Sequence, residues 1–284
     1  MKATTYAAFL LFFFFSAKQL PAQALPLGDA IKKGYLAITA SGNGGHTGQC
    51  LRLKLENKTR KALDIIIPAG QLFEAADSNL QDLMVGKQEA FVLQPDKLHT
   101  ADVYGFCVKA GNGSPGTGSL FSLGKMAEGH LLKVAQYLSD SNLHVHPSAQ
   151  YAVWAVSDNE RLEGVGDPNL TKFLADMLGK PMPEYHVRYQ QPQDRLLPGQ
   201  PANWREAMAL NGLFYYTLDR DQTVNFGLYN ESGELVHTLF KNRLQRKGYH
   251  KFRFEFEIRG LQKGKYFARL TSANGTLKEL EVEF

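Results

Sequence analysis

Beyond its first two dozen residues the chain has no apolar run long enough to span a bilayer, so no transmembrane segment is expected. Charge of one sign is missing too. Thirty-two Lys and Arg stand against 28 Asp and Glu, and a net charge of +4 is too small an excess to argue for a nucleic-acid partner. No Ser is framed as a nucleophile elbow, and no carboxylate pair stands in a context for acid–base work. The chain is therefore read as non-enzymatic, with a hydrolase of envelope polysaccharide or peptide kept as an alternative because small β domains with helical caps can hide clefts. His144 and His146, with His130 nearby, lack a further ligand at compatible spacing, so no metal or other cofactor is expected. The glycine-rich stretch 42–48 leads into a strand instead of a helix N-terminus, which excludes a phosphate cradle and leaves a surface loop. Cysteine is nearly absent: only Cys50 and Cys107 occur.

What is present begins with a leader. Met1-Lys2, the apolar run from Ala7 to Phe15 and the small-x-small sequence Ala22-Gln23-Ala24 make residues 1–24 a signal peptide, with Leu25 the expected mature start. No Cys sits at the cleavage site to carry a lipid. The expected location is outside the cytoplasm: the cell surface or extracellular space, otherwise the periplasm. In an oxidising compartment Cys50 and Cys107 read first as one disulfide bridging a sandwich.

Residues 27–180 read as an α+β domain, a β-sandwich with packed helices. Leu51, Leu53 and Leu55 alternate with charged residues, 63–67 and 90–93 are short apolar runs closed by proline, and 102–108 is a further strand. Helical spacing takes over at about Lys125. Leu131, Ala135 and Leu138 line one helix, Ala149, Ala152, Val153 and Val156 a second, and Leu170, Phe173, Leu174, Met177 and Leu178 a third. That third helix is punctuated by Asp167, Pro168, Gly179 and Pro181. Five prolines between 181 and 206 mark a linker. From 207 to 284 the pattern is all β, clearest where Phe252, Phe254, Phe256 and Ile258 alternate with charged residues. Turns at 231–234 and 273–275 separate the strands, and the strand count suits an immunoglobulin-like sandwich. The basic cluster Lys241, Arg243, Arg246, Lys247, Lys251 and Arg253 reads as a solvated hairpin edge, with an anionic polysaccharide or lipid headgroup as the other reading.

Two resemblances attach to these segments. The stretch 224–236, then Gly248-Tyr249-His250 and 261–270, resembles the C-terminal sorting domains of type IX secretion cargo and the related immunoglobulin-like domain of flagellar hook-capping proteins. That resemblance implies a sandwich recognised by secretion machinery. In the first domain, Phe106-Cys107-Val108-Lys109 and Ala149-Gln150-Tyr151-Ala152-Val153-Trp154 are similar to the two motifs of thioester domains from bacterial surface adhesins. There a Cys thiolate displaces ammonia from a Gln amide, and the acyl group is then taken by a surface lysine. The resemblance would make Cys107 and Gln150 such a pair, whereas a Cys50–Cys107 disulfide would silence it. The function expected is an exported surface or periplasmic binding protein with a protein or glycan ligand, and the leading alternative is covalent adhesion through Cys107 and Gln150.

Overall fold

The computed structural model describes residues 24–190 and 205–284. The expected leader up to residue 23, and residues 191–204 of the expected linker, lie outside the described residues. No helix among those described is long and apolar enough to cross a membrane.

The first unit opens with β1 (Leu25–Pro26) and α1 (Leu27–Lys32). There follow β2 (Leu36–Asn43), β3 (Thr47–Asn57), β4 (Leu63–Ile67), β5 (Gln71–Ala75), β6 (Asp82–Val85), β7 (Glu89–Leu93), β8 (Leu98–Val108) and β9 (Thr117–Met126). Strands β2, β3, β8, β6, β5 and β9 are bonded in that order, and β9 pairs back onto β2 at Ala40↔Phe121, closing a barrel. Strands β1, β4 and β7 form a side sheet. The chain is β-rich as expected, but strands expected to stack as a sandwich close on themselves. Alternation reports that one face of a strand is buried. It does not say whether that face meets a second sheet or the inside of its own barrel. Register breaks in β2, β3 and β5 supply the local twist that closure needs.

Leu53, Leu55, Phe73, Leu83, Val103 and Cys107 fill the barrel-side core. Three helices cover one outer flank: α2 (Gly129–Asp140), α3 (Ala149–Ser157) and α4 (Pro168–Leu178). Against them lie Met84, Phe106 and Val108, packed with Val134, Leu138, Val153 and Leu174. Strand β6 and residues 105–108 of β8 are therefore buried on both faces, which is why Gly105-Phe106-Cys107-Val108 lacks alternation. Helix α2 starts at Gly129 instead of Lys125, because β9 stays in the barrel as far as its pairing of Met126 with Gln71. In α4 the expected punctuation holds. Asp167 Oδ1 accepts the Leu170 N–H at 2.7 Å, Pro168 occupies the first turn, and Gly179 ends the helix at φ +65°.

The second unit comprises β10 (Tyr185–Tyr189), β11 (Ala207–Leu218), β12 (Gln222–Asn230), β13 (Leu235–Gln245), β14 (Gly248–Glu257), β15 (Lys265–Ser272) and β16 (Gly275–Glu283). One sheet has the order β10-β11-β14 and the other β13-β12-β15-β16. Phe214, Phe226, Phe254 and Phe256 meet between them. The turns at 231–234 and 273–275 use Gly233 and Gly275 at positive φ. Strand β10 corrects the expected linker. Tyr185 and Val187 are buried, and the strand pairs with β11 from Tyr185↔Gly212 to Tyr189↔Ala207, so this unit begins at 185, not 207. Five residues between prolines are too few for alternation to outweigh the proline signal. The basic cluster does flank a turn, at 246–247, but β13 and β14 belong to different sheets and make no hairpin.

The two units touch through arginines. Arg161 donates to the Tyr185 hydroxyl at 2.7 Å and pairs with Glu283, while the Arg205 guanidinium lies between the rings of Tyr151 and Tyr189, 4.2 and 4.0 Å from their centroids.

Candidate functional site

The expected pair, Cys107 and Gln150, is brought together. Cys107 lies one residue past the last pairing of β8 with β3, Thr47↔Phe106, where the regular ladder between these two strands ends. The side chain of Gln150, in the first turn of α3, takes over. Its Oε1 accepts the Cys107 N–H at 3.0 Å and its Nε2 donates to the Cys107 carbonyl at 2.8 Å. A carboxamide that spans one residue's N–H and C=O places its own carbon beside the Cα carrying the thiol. The same N–H also reaches the carbonyl of His46, at 3.1 Å. Gln150 is 3% exposed and Cys107 fully buried, so this is an internal contact and Gln150 does not sit on a solvated polar face.

The residues around the pair are apolar or aromatic. Trp154, one turn along α3, is buried in the same core cluster as Cys107, and Tyr151 stands beside it with ring centroids 5.9 Å apart. His46 stacks on Trp154 at 6.0 Å. The glycine-rich stretch is thus the β2–β3 turn, and its end lies over the pair. That role went unread in the sequence, because nothing in Gly-Gly-His marks a backbone carbonyl as an acceptor. Asp82 and Lys109 flank the site, with Lys109 Nζ 2.6 Å from Asp82 Oδ2 and Lys109 at φ +67°.

Electrostatics here disfavour a thiolate. Burial pushes the Cys107 thiol well above its ordinary range, with Cys50 and Asp82 adding to the effect. Burial also pushes Cys50 up to about 12. Both cysteines are free thiols, which replaces the expected Cys50–Cys107 disulfide. Cys50 is held in the β3 register break opposite Gly105, where a Cβ would come within 3.0 Å of its sulfur. Even spacing between two half-buried strands did not reveal that break. An un-ionised, fully buried thiol is a poor general nucleophile. It is shielded from outside electrophiles, and the Gln150 carboxamide is hydrogen-bonded to the backbone of the same residue.

No family model, curated protein or solved structure matches the chain. The site therefore stands on its own geometry.

The other candidates stay apart. His144 is buried with its ring edge-on to Tyr104, and burial lowers its pKa; His146 faces Asp167 at 3.9 Å. Neither joins a group of metal-ligating side chains among the described residues. An open groove of about 840 Å³ lies between the units, near Arg161, Lys180, Tyr185 and Glu283 and away from Cys107. Arg161 is already held there by Tyr185 and Glu283.

Proposed function

We propose that this protein is an exported, non-enzymatic surface-binding protein, and that Cys107 and Gln150 equip it to bind covalently through an internal thioester. The observation that carries the reading is the pair of hydrogen bonds by which Gln150 embraces the Cys107 backbone inside a buried, aromatic-walled site. Proximity of this kind converts an inert amide and a thiol into an effectively unimolecular pair. The hydrogen bond from Cys107 N–H to Oε1 also draws electron density from the amide carbon, as an oxyanion-hole donor does. Attack of the Cys107 sulfur on Gln150 Cδ forms the C–S bond and breaks the C–N bond, and the thiol proton leaves with the nitrogen as ammonia. A lysine amine of a partner that reaches the same carbon, which requires the buried site to open, then attacks it, forms an amide and returns the thiol to Cys107. Free, unbridged Cys107 is compatible with this chemistry and a disulfide is not.

For the second unit we favour an immunoglobulin-like module that sorts or attaches the first. Three strands facing four, with the chain crossing between sheets at 246–247, support that reading.

Intact mass of the mature protein tests the covalent function. A thioester makes the chain lighter by one ammonia, and methylamine reverses the loss. A mass equal to the unmodified sequence would leave a non-covalent binding protein, and a loss of two hydrogens restored by reductant would reinstate the disulfide. Sorting is tested by deleting 185–284 and asking whether the remainder still reaches the cell surface.

A further inference from the structure

We propose that the pole of the second unit farthest from the first docks on a lipid surface bearing anionic headgroups. Three connections meet at this pole: 219–221 between β11 and β12, 246–247 between β13 and β14, and 273–274 between β15 and β16. Pairings Leu218↔Gly248, Gln222↔Gln245 and Val224↔Ser272 place all three at the same end. The contacts with the first unit, through Tyr185, Tyr189 and Glu283, lie toward the other end of these sheets.

Charge gathers at the free pole. Arg220, Arg243, Arg246, Lys247 and Lys251 are exposed there, and none has a carboxylate partner among the described residues. Asp219 and Asp221 are the opposing charges at these turns, and Asp221 Oδ1 accepts the Lys247 backbone N–H at 2.7 Å. No Asp or Glu occurs from Leu235 through Phe254. Apolar groups project among the cations: Leu244 is 70% exposed and Tyr249 67%, one on each side of the 246–247 connection. Cations alone would fit any polyanion. Cations around a protruding Leu and Tyr fit a bilayer, where headgroup phosphates meet the charges and the side chains enter the interface. A protein docked this way holds its first unit, with Cys107 and Gln150, away from the lipid; the docking itself does not depend on the thioester.

The test is co-sedimentation of the mature full-length protein with vesicles of phosphatidylcholine, or of phosphatidylcholine and phosphatidylglycerol in equal parts. Binding to the anionic vesicles only is expected, weakening as salt is raised. Neutralising two cations, Arg246→Gln with Lys247→Gln, should lower the partition coefficient by about thirty-fold. Leu244→Ser should weaken vesicle binding while leaving retention on dextran sulfate unchanged. Equal binding to both vesicle types, or no vesicle binding, would overturn the proposal. So would retention on dextran sulfate as strong as that on anionic vesicles together with indifference to Leu244→Ser, since that outcome assigns the pole to a polyanionic glycan. The substituted side chains are exposed and none lies in the core between the sheets, so a circular-dichroism melt matching wild type accompanies each result.

Discussion

Replacing Gln150 with Ala separates the positioning of Cys107 from its chemistry. Two hydrogen bonds disappear, at 3.0 and 2.8 Å. The Cys107 N–H keeps the His46 carbonyl, so its loss is small. The Cys107 carbonyl is left without the Gln150 donor in a buried site, and an unmet buried group costs about 1–3 kcal/mol. With the N–H bond adding little, the substitution should destabilise by about 1–3 kcal/mol, which lowers the melting temperature by about 2–12 °C for a chain of this size. Cys107→Ala provides the contrast. It removes the thiol but leaves the N–H and C=O that Gln150 grips, so a non-covalent clamp predicts a loss of about 1 kcal/mol and full additivity with distant changes. A thioester predicts instead that either substitution abolishes the ammonia loss and that the double variant is no worse than the poorer single one. Scanning calorimetry and intact mass on the three variants supply the readouts. A Gln150→Ala protein that melts within a degree of wild type would refute the clamp, and with it the positioning on which the thioester depends.

Three other outcomes follow from the geometry. Trp154→Ala removes the largest fully buried side chain among the described residues, which closes the site against His46 and Tyr151; a loss of about 3–5 kcal/mol is expected in chemical denaturation, and less than about 1 would show that the ring is not packed. The hydrogen bond from Arg52, helped by Asn43, holds the Asp102 carboxyl at about 2, below its ordinary 3.8. A depressed carboxylate stabilises the fold above its unfolded value, and that contribution is lost as pH falls from about 4 to about 2. Because the pair is exposed, the effect should stay under about 1 kcal/mol, and a denaturation series showing Arg52→Ala with the same acid limb as wild type would remove it. Cys50, buried and pushed up to about 12, should resist iodoacetamide in the native protein and react only after denaturation; rapid labelling of the folded chain, read by peptide mass, would contradict its burial.

Local pattern was a good guide where a single physical rule decides the outcome. The alternation of Leu51, Leu53 and Leu55 marks a strand because one face must be dry, and Asp167, Pro168 and Gly179 bracket α4 because each satisfies a specific need of a helix end. The pairing of Cys107 with Gln150 was likewise legible as two short motifs on different elements. Their contact, however, needed the barrel. It exists because β3 stops one residue short of Cys107, and because α3 lies against a stretch of β8 buried on both faces.

Tertiary structure alone decided several points. A half-buried strand looks the same from its residues whether it belongs to a sandwich or to a closed barrel, since closure depends on register breaks between partners distant in sequence. The free state of Cys50 and Cys107 was not legible either, and Cys50 sits in the break at residues 48–51 of β3. Tyr185–Tyr189 became a strand only because β11 offered an edge for it to join. The amino-acid order dictates which surfaces must avoid water and which chain ends must be capped, because those needs are local. Which surfaces meet is a property of the whole chain, because each strand's partner lies tens of residues away.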